Sequence, residues 1–186
     1  MKKFLNLAVL FVLAVALISC RDKDHHPHDT HEHEEISKVV MKVTNLATKH
    51  EQSITYINGA ASGALNLKSG DAYHVELDFQ SKHNDHYHSV NDEIIKERDE
   101  HFIVFNFAGI NAALWREAKG DVRSDGNIVG LKTEWEIGQN ISSNAKVQIK
   151  LMHQPTSVNQ NHPSMDYQYG AVTGGDADVD MTINIQ

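Results

Sequence analysis

An all-β fold, an antiparallel β-sandwich of the Ig-like kind with about seven or eight strands and one short helix, is predicted by three features of the sequence. Apolar and polar residues alternate with period two in several segments, one run (102–107) is apolar on both parities, and clusters of Gly, Asn and Asp separate the segments. Such alternation marks strands with one face on a core and the other in solvent, as antiparallel sheets have.

Taken in order, 36–46 is the first candidate strand, with Val39, Met41 and Val43 inward, and 54–57 is a weaker one. Tyr73, Val75, Leu77 and Phe79 then face one way, while His74, Glu76, Asp78 and Gln80 face the other. A short helix is expected over 91–100, where Ser89 or Asn91 can cap the first turn and Asp92 and Glu93 suit the positive end of the helix dipole. The run 102–107 reads as a strand buried on both faces, followed by a weaker candidate at 114–118. Residues 121–127 follow a calcium-loop pattern in part, with Asp121, Asp125 and Gly126 in place. Arg123 and Lys132 occupy positions that need oxygen ligands, so Asp125-Gly126 reads as a hairpin turn. Val129, Leu131, Thr133, Trp135 and Ile137 form another inward row, opposed by Lys132, Glu134 and Glu136. Val147, Ile149 and Leu151 form the next, and Val179, Met181, Ile183 and Ile185 the last, alternating with Asp178, Asp180, Thr182 and Asn184. Between 152 and 178 a loop of over twenty residues, rich in Asn, Gln, Ser and Gly, is expected to be functional or disordered.

The chain begins with Lys2 and Lys3 and an apolar run over 4–18 broken by Asn6, too short for a membrane span and suited to export. Leu17-Ile18-Ser19-Cys20 resembles the bacterial lipobox, in which small residues admit the signal peptidase and the cysteine thiol is acylated, with palmitate among its acyl chains. The expected organisation is a lipoprotein signal peptide (1–19), a flexible tether rich in His and acid (20–35) and a β-sandwich domain (36–186). Cys20 is the sole cysteine, which excludes an internal disulfide and a redox motif. Loss of the signal would take the net charge from −8 to about −10, which argues against nucleic acid and against a polybasic membrane contact, and leaves the lipid as the anchor.

Thirteen histidines are the chemical signature, and two clusters hold eight of them. His25, His26, His28, His31 and His33 are interleaved with Asp29, Glu32, Glu34 and Glu35, a mixture that suits Zn²⁺, with Cu²⁺ and Ni²⁺ as alternatives. The plainer reading of this stretch is a polar spacer. His83, His86 and His88 follow an H-x-x-H-x-H spacing that lets three imidazoles converge from one loop, with Asp85 as a fourth or supporting ligand; its plainer reading is an exposed turn. Weaker metal candidates are His74, which shares its strand face with Glu76 and Asp78, the pair Glu97 and His101 four apart on the expected helix, and His153 and His162 flanking the late loop. No nucleophile elbow, H-E-x-x-H pair or glycine-rich phosphate loop is present, and no catalytic residue or enzyme activity is expected.

Asp92-Glu93-Ile94-Ile95, Asp99-Glu100-His101-Phe102, Asp125-Gly126-Asn127, Val129-Gly130-Leu131-Lys132-Thr133, Leu151-Met152-His153-Gln154-Pro155 and Gly174-Gly175-Asp176 with Asp178-Val179-Asp180 together resemble a group of small Bacteroidota envelope lipoproteins. Some members carry the label of a type 1 periplasmic-binding fold, whose strands and helices alternate over a longer chain than this one. The resemblance implies metal or nutrient handling beside a TonB-dependent outer-membrane receptor and no catalytic residues. Arg21-Asp22-Lys23-Asp24 is similar to signals that send such lipoproteins to the outer surface. The expected function is therefore zinc binding by a lipid-anchored protein of the cell envelope, as an accessory to uptake or metal homeostasis. The alternative is a non-catalytic β-sandwich interaction or ligand-binding module with an incidental His-rich spacer.

Overall fold

The computed structural model describes residues 35–186, and the expected signal peptide, Cys20 and the histidines of 25–33 lie outside them. In chain order the elements are β1 (Ile36–Asn45), β2 (Glu51–Ile57), β3 (Ala60–Ala61), β4 (Ala72–His83), β5 (His86–Ser89), α1 (Asn91–Lys96), β6 (His101–Arg116), β7 (Lys132–His153), β8 (Ser157–Asn159), β9 (Pro163–Ser164), β10 (Tyr167–Gln168), β11 (Ala171–Thr173) and β12 (Asp176–Asn184). The fold is all-β and antiparallel in the main, a sandwich-like arrangement with one short helix among the described residues. One sheet runs β3-β2-β1-β4-β7-β6-β10-β9, with β5 added to β4 and β12 to β7, while β8 and β11 pair separately.

The eight segments expected from alternation become six long strands. Residues 102–107 and 114–118 are parts of the single strand β6, and the rows around Trp135 and Ile149 are both in β7. The strand count nevertheless rises to twelve, because six pieces of two to four residues complete the sheets. β7 pairs with β4 through its first residues and with β12 through its last, while β6 runs along its other edge throughout. Irregular register between Ala108 and Ala112 lets the β6–β7 ladder bend. The Ile103 N–H reaches Val129 O at 3.0 Å, so the start of β6 lies over the approach to β7.

The inward rows read from the sequence form one core. Val39, Met41, Val43, Tyr73, Val75, Leu77, Phe79, Trp135, Ile137, Val147, Ile149, Leu151, Met181 and Ile183 are all buried. Burying each large side chain contributes about 1.5–3 kcal/mol, so these rows dominate stability. Trp135 meets Phe105 and Phe107 edge-on and donates its indole N–H to Thr133 Oγ1 at 2.9 Å, which satisfies the polar atom that would otherwise penalise burial.

α1 stops at Lys96, short of the expected span, and its N-cap Val90 supplies no side-chain cap. Asn91 turns back to the sheet instead, accepting from the Phe79 N–H at 3.0 Å and donating to Leu77 O at 2.8 Å, so the amide bonds the edge of β4 as a strand would. The late loop is ordered into β8 to β11 rather than left irregular. Asp121 is buried, its carboxylate taken up by the N–H groups of Lys119, Gly130 and Leu131, and a bridge between Val122 and Ile128 closes the turn around Gly126.

Arg116 explains why the late segment settles where it does. Its five N–H donors meet five main-chain carbonyls: Nε reaches Gln168, Nη1 reaches Ile128 and Val129, and Nη2 reaches Ile103 and Tyr169, at 2.7–3.1 Å. The guanidinium also stacks 4.3 Å from the centroid of Phe102, which explains why 102–107 is apolar on both parities at its start. Burial pulls the guanidinium down to about 9, with Asp121 opposing the shift, so it stays charged at neutral pH. Gly130 (φ +101) and Gly170 (φ +86) leave room for it, since a Cβ on either would lie 2.5 Å from a guanidinium nitrogen. Arg116→Lys keeps the charge but offers three donors for five carbonyls, and is expected to lower stability by about 3 kcal/mol, seen as a lower urea midpoint at unchanged slope.

Candidate functional site

Five of the eight histidines among the described residues fall into two groups, one on an exposed hairpin and one at the end of the core. The hairpin is β4 with β5. Asn84, at φ 54, and Asp85 make a two-residue turn, a tight connection that asparagine tolerates. His83 pairs with His86, and Ser81 pairs with His88. Cross-strand partners share a face, as do residues two apart on one strand, so His83, His86 and His88 lie on the same face of the hairpin. That face continues the inward row of β4 beyond buried Ser81, into a stretch where 82–89 are all exposed. On the opposite face, the Lys38 ammonium stands 4.9 Å and the Lys82 ammonium 6.0 Å from the centroid of Tyr87.

The second group arises from long-range register. His101, the first residue of β6, pairs with His153, the last of β7. Both extend core rows, Ile103 and Phe105 on β6 and Leu151 and Ile149 on β7, so the final rung of the inward ladder is two imidazoles rather than two aliphatics. Their rings stack with centroids 5.0 Å apart and planes 12° apart. Asp178 joins them from β12. The pairing of β12 with β7 skips between Ala177 and Val179, and the bulge turns Asp178, expected on the outward row, onto the rung. His101 Nε2 lies 3.7 Å from Asp178 Oδ2, and His153 Nδ1 lies 3.8 Å from Asp178 Oδ1. The other ring nitrogens also face oxygens: His101 Nδ1 is 3.1 Å from Glu97 O, and His153 Nε2 is 3.6 Å from Glu100 Oε2. Arg123 Nη1 donates to His101 O at 2.8 Å and Arg98 O at 2.9 Å, fixing the backbone beneath the rung.

Among the described residues, no group of three or more His, Cys, Asp or Glu is arranged to hold a metal ion as the side chains lie. Glu97 and His101 are not a helical pair, because α1 ends before both; they meet through the Glu97 carbonyl. His74 Nε2 is 3.3 Å from Glu117 Oε1, and its neighbour Glu76 bonds Lys132, so both side chains on this face of β4 already have partners. His162 lines a cleft of about 610 Å³ together with Val104, Met152, Pro163 and Tyr169, away from His153's partners. No known protein family, curated protein or solved structure matches the chain. No helix of the described residues is long and apolar enough to cross a membrane.

Burial pushes the His101 imidazole below its ordinary value, a shift that His153 reinforces and that the Glu97 carbonyl and Asp178 oppose. The Gln154 amide holds the Glu100 carboxyl below its usual range, helped by His153 and His101. A histidine with a lowered folded value resists the proton that the unfolded chain accepts, so stability falls as pH drops below about 6.5. Glu100 acts in a lower window, its contribution fading as pH falls below about 4.5. Urea unfolding with chelator present should therefore show a midpoint that declines between pH 7.5 and 5.5, and His101→Gln should flatten that decline.

Proposed function

We propose that this chain is a transition-metal-binding protein of the bacterial cell envelope, anchored by a lipid on Cys20, with His83, His86 and His88 as ligands and zinc as cargo. The observation that carries this reading is the β4–β5 register, which puts the three imidazoles on one face of an exposed hairpin. Directly paired residues have Cβ atoms about 4.5–5.5 Å apart, within reach of one ion for two imidazoles, and His88 is the next residue along the same face. Exposure keeps the site accessible, and the absence of a surrounding frame limits selectivity among zinc, copper and nickel. The tether histidines would enlarge the capture capacity, and delivery to a TonB-dependent receptor is part of the same proposal.

A second reading, a non-catalytic ligand-binding module, draws on the cleft between the outward face of β6 and β7 and the late segment, whose walls include Val104, Met152, Pro163, Tyr169 and Val172.

The metal reading is tested by Zn²⁺ calorimetry on the mature protein with its five tether histidines replaced by alanine. Binding should be at least about tenfold weaker at pH 5.5 than at pH 7.5, because protonated imidazole has no lone pair to give. Replacing His83, His86 and His88 with alanine should remove one equivalent of bound zinc. Equal weak heats at both pH values, or an unchanged stoichiometry in the triple variant, would overturn it.

A further inference from the structure

The geometry points to the cleft between β6, β7 and the late segment as a binding site for a small uncharged molecule with an apolar body and an amide or hydroxyl head, a specification that rests on the ligand-binding reading of that cleft. The outward row of β4 is polar, with His74, Glu76, Asp78 and Gln80. In the outward rows of β6 and β7, Val104 and Met152 are apolar instead, and both stay half-buried. The path of the late segment explains why they are only partly covered. Tyr169 O accepts from the Phe105 N–H at 2.9 Å and Gly170 lies beside the Phe102 ring, but β11 then pairs with β8 and not with the main sheet. The chain thus leaves β6 after Gly170, and Pro163 and Val172 wall a cleft of about 610 Å³ whose floor holds Val104 and Met152. That volume suits a small organic ligand. The wall is held by bonds of its own: the Gly170 N–H donates to His162 O at 3.0 Å, and the Tyr169 hydroxyl donates to Ala112 O at 2.7 Å.

The polar end of the cleft decides the charge of its occupant. Asn106 and Gln148 are direct cross-strand partners, so their amides share the floor side by side. Gln148 Nε2 donates to Asp180 Oδ1 at 2.7 Å, which leaves its Oε1 as an acceptor, and the exposed Asn106 amide supplies both a donor and an acceptor. Lys150 also lines the floor, with its ammonium 3.0 Å from the same Asp180. A carboxylate head drawn to that ammonium also meets the Asp180 carboxylate, and an ammonium head meets Lys150. Either brings an uncompensated charge beside Val104 and Met152, where its desolvation is penalised. An amide or hydroxyl head is matched by Asn106 and Gln148 and leaves the Lys150–Asp180 pair in place.

The test follows backbone ¹H–¹⁵N shifts of the full mature chain at pH 8.0 during titration with hexanamide, hexanoate and hexylammonium, which share one apolar body, and with acetamide, which lacks it. Hexanamide should shift the amides of Val104, Gln148, Met152 and Val172, and should bind at least about threefold more tightly than either charged analogue. Acetamide should bind at least about tenfold more weakly than hexanamide. Asn106→Ala, at an exposed position, should weaken hexanamide binding by about threefold. If no probe moves these amides, the inference and the ligand-binding reading of the cleft fall together. If a charged analogue or acetamide binds as tightly as hexanamide, or the variant binds hexanamide unchanged, the assigned ligand class is overturned while the cleft stands as a binding site.

Discussion

Five main-chain carbonyl oxygens converge on the guanidinium of Arg116, two of them, those of Val129 and Tyr169, also accepting from the N–H groups of Ile103 and Phe105, and three parts of the chain meet at that convergence. A buried charge is tolerable only when every donor is met, and here the acceptors come from the start of β6, the approach to β7 and the late segment. With them met, the late segment lies against β6, Gly170 beside the Phe102 ring and Tyr169 O bonded to the Phe105 N–H. Arg123 repeats the device on a smaller scale at the carbonyls of Arg98 and His101. Both arginines thus bond main-chain carbonyls at the start of β6, Arg123 that of His101 and Arg116 that of Ile103.

Period-two alternation made the core legible. Val39 to Val43, Tyr73 to Phe79, Val147 to Leu151 and Val179 to Ile185 were assigned to the inward face from parity alone, and burial agrees at each. Strand continuity was less legible, since the polar interval 138–144 looks like a break and is instead the irregular middle of β7. The late segment read as a loop because its strands are too short to show a period, and no local pattern announces the bonds of Gln168 and Tyr169 with Arg116.

The two histidine groups differed in legibility for a physical reason. The hairpin cluster is local, so its spacing displays it. The rung joins residues 101, 153 and 178, and only strand register brings them together. One signal was available: His101 and His153 each continue the inward parity of a buried row, where an imidazole is unusual. The placement of Asp178 was hidden, because strict alternation assigns it to solvent.

The extra residue in β12 has a consequence for how such a protein can diverge. Were the chain one residue shorter between Ala177 and Val179, regular pleating would resume, and Val179, Met181 and Ile183 would keep their places while the acid vanished from above them. The carboxylate at the end of the core is thus separable from the apolar rows beneath it by a single residue.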